Sequence, residues 1–144
     1  MKQFKILSIN ISEKAGLKKT PVPHAELIAD SGIRGDAHAK NWHRQVSLLA
    51  QEDINLMRAK GLELSPGDFA ENITTEGIDL TALPVGSRFK IDDCELELTQ
   101  LGKKCHQHCE IYKQAGDCIM PRRGVFAKVL KGGKISTESI GYYT

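Results

Sequence analysis

Short segments in which apolar and polar residues alternate recur along the whole chain, and turn-forming residues separate them. A period of two residues is typical of strands with one buried face. The alternation predicts strands at residues 4–11, 25–29, 46–49, 71–75, 88–91, 94–101 and 125–130. Many short strands with few helical segments indicate a mostly β fold, either a sandwich or a barrel.

Gly, Pro and Asp residues mark the turns between these strands, because they preset φ or tolerate positive φ. The turn segments are 66–68, 84–86, 92–93 and 132–133. One helix is predicted over residues 51–60, where Ile54 and Met57 are apolar and Gly61 suits the C-terminal stop. A second short helical turn is predicted at 110–114. The chain therefore combines many strands with one or two short helices.

Length and composition indicate one domain, 1–144, because 144 residues with 40% hydrophobic content are enough for one core. A net charge of +2 gives no field that would favour nucleic acid as the main partner. The N-terminus MKQFKILSIN lacks the long apolar stretch of a signal peptide, and no apolar run approaches the ~20 residues needed to cross a bilayer. We expect a cytoplasmic protein with no membrane contact.

The densest group of reactive side chains follows the predicted strand 94–101. Cys105 lies among Lys103, Lys104 and His106, whose charges favour a thiolate over a thiol. A thiolate is the form that attacks sulfur or binds a soft metal, so Cys105 is the candidate catalytic residue and metal ligand. The alternative is that Cys105 is a small buried hydrophobe, as free cysteines often are.

Zinc is a competing interpretation of the same segment. Cys105, His106, His108 and Cys109 offer four donors. Their spacing is against it, because adjacent donors would have to turn back onto one tetrahedral ion, whereas structural sites draw ligands from two separated pairs.

The other two cysteines are less directly informative. Cys94 shares a strand face with Leu96 and Leu98, which predicts a core position. Cys118 is a candidate resolving thiol whose exposure the spacing does not decide. None of the four is expected in a structural disulfide, since the cytosol keeps thiols reduced.

Several basic and polar residues are candidates for binding an anionic cofactor. Arginine bonds planar oxyanions in bidentate fashion, and an asparagine amide can pair with a heterocycle edge. For each candidate the alternative is a solvated surface residue or, for the asparagine, a turn-stabilising one. The candidates outside the cysteine segment are Arg34, His38, His43, Arg44, Asn72, Arg122 and Arg123.

Taken together, the motifs of the chain resemble the MOSC family, named for the C-terminal domain of molybdenum cofactor sulfurase. The resemblance covers roughly residues 33–135 and rests on four ordered motifs. These are Gly-Asp-x-His at 35–38, Glu-Asn-x-Thr-x-x-Gly at 71–77, Pro-Val-Gly at 84–86, and Leu-x-Leu-Thr at 96–99 running to Cys105. The stretch 116–127 resembles the short stand-alone bacterial branch of the family.

The resemblance implies a twisted, largely antiparallel β-barrel in which Cys105 carries persulfide sulfur or ligates molybdenum. It also implies an anionic pterin ligand, the molybdenum cofactor molybdopterin, whose phosphate would be held by Arg122 and Arg123. Lys103, Lys104, Arg34, His38, His43, Arg44 and Asn72 complete the expected cofactor-binding set. The implied partners are molybdenum-cofactor biosynthesis enzymes or a cysteine desulfurase.

Three functions remain open at this point: a sulfur carrier or cofactor-handling domain, a molybdenum-dependent oxidoreductase component, and a non-catalytic zinc or partner-binding module. No segment corresponds to the pyridoxal-phosphate desulfurase domain of full-length cofactor sulfurases, so no pyridoxal phosphate is expected. An oxidoreductase of this kind would need a separate electron donor. The sequence leaves open the sulfur donor, the acceptor and the oligomeric state.

Overall fold

Strands dominate the computed structural model, which describes residues 2–14, 18–61, 63–102 and 123–143. The strands are β1 (Lys2–Ile11), β2 (Thr20–Val22), β3 (His24–Ile28), β4 (Gly32–Ile33), β5 (Val46–Ala50), β6 (Ile73–Glu76), β7 (Arg88–Ile91), β8 (Cys94–Leu101), β9 (Val125–Lys131), β10 (Gly133–Ser136) and β11 (Ile140–Tyr143). All seven predicted strands are confirmed to within about two residues at each end.

Seven strands of the described chain close into a barrel in the order β11-β7-β8-β9-β5-β6-β1, because β1 also pairs with β11. Strand β2 adds to β1, and a separate three-stranded sheet has the order β10-β3-β4. The pairs are antiparallel except β5–β6, which is parallel. The predicted mostly β, largely antiparallel barrel is confirmed.

The alternation that predicted the strands directs one face of each strand into the barrel. In β8, Cys94, Leu96 and Leu98 are buried while the residues between them are partly exposed. Phe89 fills the core from β7, and Phe4 meets it edge-on with ring centroids 6.3 Å apart. This apolar interior supplies the rigid frame on which the rim residues stand.

Helix α1 (Gln51–Arg58) links the parallel pair, starting directly after β5. A parallel pair needs a crossover connection, and α1 supplies its regular part. The helix buries Ile54 and Met57, as predicted. It ends two residues before the predicted boundary, and Gly61 follows with a φ of 91°. The predicted helical turn at 110–114 lies outside the described residues.

Four strands were not predicted: β2, β4, β10 and β11. They have two to four residues each, and Pro21 interrupts the first of them. No helix in the described part of the chain has the length and apolar character needed to cross a membrane.

Candidate functional site

The β8–β9 hairpin fixes where the cysteine segment leaves and rejoins the barrel. Leu101 pairs with Val125, and the Gly102 N–H donates to the Gly124 carbonyl at 2.6 Å. The two ends of the connecting segment are therefore held side by side at one rim. The predicted site residues Lys103, Lys104, Cys105 and Arg122, with His106, His108, Cys109 and Cys118, lie outside the described residues.

Gln100 organises the rim beside this hairpin. Its Oε1 accepts hydrogen bonds from His43 Nε2 at 2.9 Å and from Arg44 Nε at 3.1 Å. Its Nε2 donates to the Gly102 carbonyl at 2.7 Å. One side chain thus ties two predicted site residues to the start of the cysteine segment.

Arg44 keeps part of its guanidinium available. The group lies over the Phe126 ring, 5.3 Å from the centroid, and its Nε is bonded to Gln100. Among residues 2–14, 18–61, 63–102 and 123–143, nothing hydrogen-bonds its two terminal nitrogens. His43 beside it is exposed. Arg44 therefore offers a planar pair of donors that suits an anionic oxygen or sulfur.

Trp42 lies between the two predicted histidines. Its ring is parallel to that of His38, with centroids 6.3 Å apart, and meets His43 edge-on at 5.9 Å. The indole N–H donates to the His38 carbonyl at 2.8 Å, and the Lys40 ammonium lies 4.4 Å from the ring centroid. The structure thus brings His38, His43 and Arg44 into one cluster.

A buried ion pair lies beneath His38. Lys19 Nζ is 2.7 Å from Asp36 Oδ1 and 3.0 Å from His38 Nδ1, and the Lys19 and Asp36 side chains are 1% and 0% exposed. Burial would raise the pKa of Asp36. Hydrogen bonds involving His38, Lys19 and the Ser12 N–H, with the Lys19 charge, outweigh it and hold that pKa well below its usual range.

The backbone at Lys19 is fixed by close approach to Gly67. The Lys19 N–H donates to the Gly67 carbonyl at 2.9 Å, and Gly67 has a φ of 91°. A Cβ at this position would collide with the Lys19 carbonyl. The predicted turn at 66–68 therefore fixes the backbone position of the buried Lys19.

Arg34 is separate from this cluster. Its guanidinium bonds Glu26 at 2.9 Å, and the two side chains are 72% and 42% exposed. Within the described residues, no contact joins it to His38, His43 or Arg44. The proposal that Arg34 binds cofactor stays a prediction without support from its position.

Asn72 has a structural role. Its side chain is 0% exposed; its Oδ1 accepts from the Ser47 N–H at 2.9 Å, and its Nδ2 donates to the Asn10 carbonyl at 3.1 Å. This amide is committed within the fold and presents no edge to a pterin. The alternative interpretation, a residue that stabilises the local backbone, fits the geometry.

Glu71, next to Asn72, is also fully buried. Thr74 Oγ1 donates to its Oε2 at 2.9 Å, while its Oε1 has no hydrogen-bond partner among the described residues. Burial raises the pKa of this carboxyl. The Glu-Asn-x-Thr motif is therefore a buried polar network rather than an exposed surface.

Arg123 binds carboxylates of its own chain. Its Nε is 3.0 Å from Asp53, its Nη2 is 3.0 Å from Asp79, and its Nη1 donates to Thr81 at 2.6 Å. Arg123, Asp53 and Asp79, with Glu52, line a cavity of about 300 Å³. Two carboxylates already neutralise the guanidinium, so this geometry argues against the predicted binding of a cofactor phosphate by Arg123.

Cys94 has the predicted core position. It is 1% exposed, and burial together with the charges of Asp92 and Asp93 raises the pKa of its thiol to about 11. Within the described part of the chain, no group of three or more His, Cys, Asp or Glu side chains could hold a metal ion. Both predicted metal interpretations rest on Cys105 and its neighbours, outside that part.

Gln100 and Lys19 were not singled out as site residues from the sequence. Gln100 belongs to the predicted strand 94–101, and its place just before the cysteine segment was the available signal. Lys19 follows Lys18 and resembles a solvated pair, so the sequence carries no sign of its burial.

Comparisons with known proteins agree with this architecture. The chain is similar to the YuaD protein from Bacillus subtilis, with TM-score 0.81 and 20% identity over 97% of this chain and 94% of that one. It is similar to YiiM from Geobacillus stearothermophilus, with TM-score 0.73 and 18% identity over 98% and 75% of the two chains. It is also similar to YiiM from Escherichia coli, with TM-score 0.72 and 16% identity over 100% of this chain and 70% of that one.

At these identities the likeness shows the fold alone. No curated protein matches the chain in sequence. The family model described as "MOSC domain" matches residues 35–139, which confirms the resemblance drawn from the motifs. The chain belongs to the MOSC domain family.

Proposed function

We propose that the chain is a sulfur carrier of molybdenum-cofactor chemistry, in which Cys105 holds persulfide sulfur at the barrel rim. The MOSC family is associated with the molybdenum cofactor, and membership fits a role in the chemistry of that cofactor. The finer assignment to sulfur transfer rests on the rim residues described above.

One observation carries the proposal: Gln100 joins His43 and Arg44 to Gly102. Cys105 is three residues further along, and three extended residues span at most about 11 Å. We propose that the exposed His43 and the terminal nitrogens of Arg44 are the groups that interact with its sulfur. A donor-rich rim next to a cysteine is the environment that stabilises a thiolate or a persulfide anion.

The transfer is balanced without an external oxidant. The Cys105 thiolate attacks the outer sulfur of a donor persulfide, forming a new S–S bond while the donor S–S bond breaks. The donor leaves as a thiolate and takes up a proton. In the second step an acceptor nucleophile attacks the outer sulfur on Cys105, whose own thiolate is the leaving group.

The described residues also fit an anionic pterin, with Arg44 and Lys40 as the available charges. If molybdopterin bound there, these two residues would hold its anionic groups, and the cofactor would supply a molybdenum centre that accepts sulfur ligands. Arg123 and Asn72 are not part of this site, for the reasons given above. His43 would donate or accept a hydrogen bond at the ligand's edge.

The test is sulfur loading of Cys105. Protein incubated with a cysteine desulfurase and cysteine should gain the mass of one sulfur, mapped to the peptide that contains Cys105. Cys105→Ser should abolish both this mass gain and cyanide-releasable sulfur. Cys109→Ser, four residues further on, is the matched control and should load normally.

Unchanged sulfur release from Cys105→Ser would overturn the proposal. Elemental analysis of the purified protein separates the other functions. Stoichiometric molybdenum with pterin would favour an oxidoreductase component, and stoichiometric zinc without pterin would favour a binding module.

A further inference from the structure

Strand β8 carries a β-bulge at Thr99. Leu98 pairs with Ala127, and Gln100 pairs with Phe126. Ala127 and Phe126 are adjacent in β9, so Thr99 is an extra residue on β8 with no partner there. A bulge of this kind bends the strand and changes the direction of the side chain that follows it.

The bulge turns Gln100 out of the barrel. Strict alternation after the core residue Leu98 would direct Gln100 inward as well. Instead Gln100 lies opposite Phe126, whose neighbour Ala127 belongs to the core, so both side chains are on the outer face. Arg44 is the third side chain on this face, because its guanidinium lies over the Phe126 ring.

The Thr99 hydroxyl holds this bulge against the chain that precedes β5. It donates to the His43 carbonyl and lies 3.1 Å from the Phe126 carbonyl, so one hydroxyl hydrogen faces two acceptors. His43 is the residue before Arg44. Thr99 therefore fixes the backbone from which Arg44 extends, on the same face to which the bulge directs Gln100.

Gln100 fixes the plane of the Arg44 guanidinium. The Nε2 of Gln100 donates to the Gly102 carbonyl at 2.7 Å, so its Oε1 faces Arg44 and accepts from Nε at 3.1 Å. The Phe126 ring lies under the guanidinium, with its centroid at 5.3 Å. No acceptor in the described part of the chain bonds Nη1 or Nη2, so the edge that these two nitrogens form is left for a ligand.

This edge suits an oxyanion. Two parallel N–H groups of a guanidinium match two oxygens of a phosphate, and the resulting hydrogen bonds are charge-assisted. Among the described residues no carboxylate is paired with Arg44, whereas Arg123 binds Asp53 and Asp79. A guanidinium whose orientation is fixed before the ligand arrives also loses less conformational entropy on binding.

We propose that Thr99 and Gln100 are positioning residues, which hold Arg44 ready to bind a phosphate-type oxyanion through Nη1 and Nη2. Thr99 acts through the bulge and the His43 carbonyl, and Gln100 acts through Arg44 Nε. The inference rests on the proposed function only for the source of the oxyanion, a pterin phosphate or free phosphate. The geometry of the guanidinium is independent of sulfur transfer.

Nitrogen-15 NMR of arginine-labelled protein measures this geometry through the exchange of the Arg44 Nε–H proton with solvent. We expect slow exchange, because Nε donates to Gln100. Thr99→Val keeps the shape of the side chain but loses the hydroxyl, and it should speed the exchange. Thr99→Ser keeps the hydroxyl and should restore the slow rate. The exposed Arg34 is the internal control and should be unaffected by either variant.

Inorganic phosphate is the binding probe, titrated against the Arg44 signals. The wild-type protein should show saturable binding. Thr99→Val and Gln100→Leu should each weaken this binding about tenfold, the loss expected when a hydrogen bond that orients a charged group is removed, and Thr99→Ser should bind as the wild type does.

Three results would overturn the proposal: no saturable binding of phosphate by the wild-type protein, wild-type affinity in Gln100→Leu, or equal losses of affinity in Thr99→Ser and Thr99→Val. Gln100→Leu leaves the bulge and the Thr99 hydroxyl in place, so it decides the matter should Thr99→Val not fold.

An oxidised pterin phosphate identifies the source of the oxyanion. Binding tighter than that of inorganic phosphate, with the same loss in Gln100→Leu, would assign the Arg44 edge to a cofactor phosphate, and equal affinity would assign it to free phosphate. Neither measurement involves sulfur transfer. Failure of the sulfur-carrier function therefore leaves the roles of Thr99 and Gln100 to be decided by the exchange and titration data.

Discussion

Lys19 and Asp36 form an ion pair of 2.7 Å whose side chains are almost completely excluded from solvent. The pair joins the chain just before β2 to the segment between β4 and β5, and it supports His38 from below. A charged pair at such depth is costly to desolvate, and it persists where each charge meets several partners. The stability of the rim is therefore sensitive to either residue.

Lys19→Met should lower the free energy of unfolding by about 3–5 kcal/mol, because it leaves the Asp36 carboxylate buried without its cation. Lys19→Met/Asp36→Leu should recover much of this loss, since no unpaired charge remains. Urea denaturation followed by tryptophan fluorescence measures both. Equal destabilisation by the single and double variants would show that the pair acts through packing instead of charge.

Glu71→Gln should remove a pH dependence of stability. Burial raises the pKa of Glu71 above 4.5, so the folded protein holds this proton more tightly than the unfolded chain. Stability is then full below about pH 4.5 and falls as pH rises toward the folded value, by roughly 1.4 kcal/mol per unit of pKa difference. Urea unfolding at a series of pH values checks this.

The control is Glu76, an exposed glutamate at the end of β6. Glu76→Gln should leave the pH dependence of stability as it is in the wild type. A Glu71→Gln profile parallel to the wild-type one would contradict the prediction.

Asn72→Ala should cost at least about 2 kcal/mol, because buried donors and acceptors left without partners cost about 1–3 kcal/mol each. The Ser47 N–H and the Asn10 carbonyl would lose their partners. Exposed Asn41→Ala is the matched control and should be nearly neutral. A stable Asn72→Ala protein with impaired pterin binding would instead support the original cofactor assignment.

Cys94 should resist alkylation in the folded protein. Its thiol is buried, and its pKa is raised to about 11, so almost no thiolate exists at neutral pH. Iodoacetamide at neutral pH should modify the peptide containing Cys105 well before that containing Cys94, as read by mass spectrometry. Unfolding in urea should remove the difference; equal rates in the folded protein would refute it.

Arg44→Ala should weaken the binding of an oxidised pterin phosphate about tenfold or more, because a hydrogen bond to a charged group contributes about 1.5–3 kcal/mol. Arg123→Ala removes the same charge from a guanidinium already held by Asp53 and Asp79, and should leave the affinity unchanged. Quenching of pterin fluorescence measures both. A larger loss of affinity with Arg123→Ala than with Arg44→Ala would indicate that Arg123 binds the pterin phosphate.

The sequence predicted the barrel because, along its longer strands, the alternating apolar residues are the ones that the fold buries. In 94–101 the period of two marks Cys94, Leu96 and Leu98 as core without further information. Strand β4 has two residues and β2 contains Pro21, so neither has a pattern to detect. Their extended conformation follows from pairing with β3 and β1, which is a long-range property.

For the candidate site, the sequence indicated the position of a residue only where its exposure follows from local composition. His43 and Arg44 were expected at the cofactor site and lie on the rim. Asn72 was expected there too, but no local pattern distinguishes an asparagine that faces a ligand from one that bonds the Asn10 backbone across the fold. Lys19 illustrates the converse, a charge whose burial depends on Asp36 and Gly67, both distant in sequence.

Closure of the barrel through β1 and β11 has a consequence for synthesis of the protein. Lys2–Lys5 pair with residues 140–143, so β1 leaves the ribosome well over a hundred residues before its partner β11 and meets it only after β11 has emerged. Until then β1 carries an unsatisfied edge, which is a surface prone to aggregation. Translation of β11 therefore decides when the barrel can close.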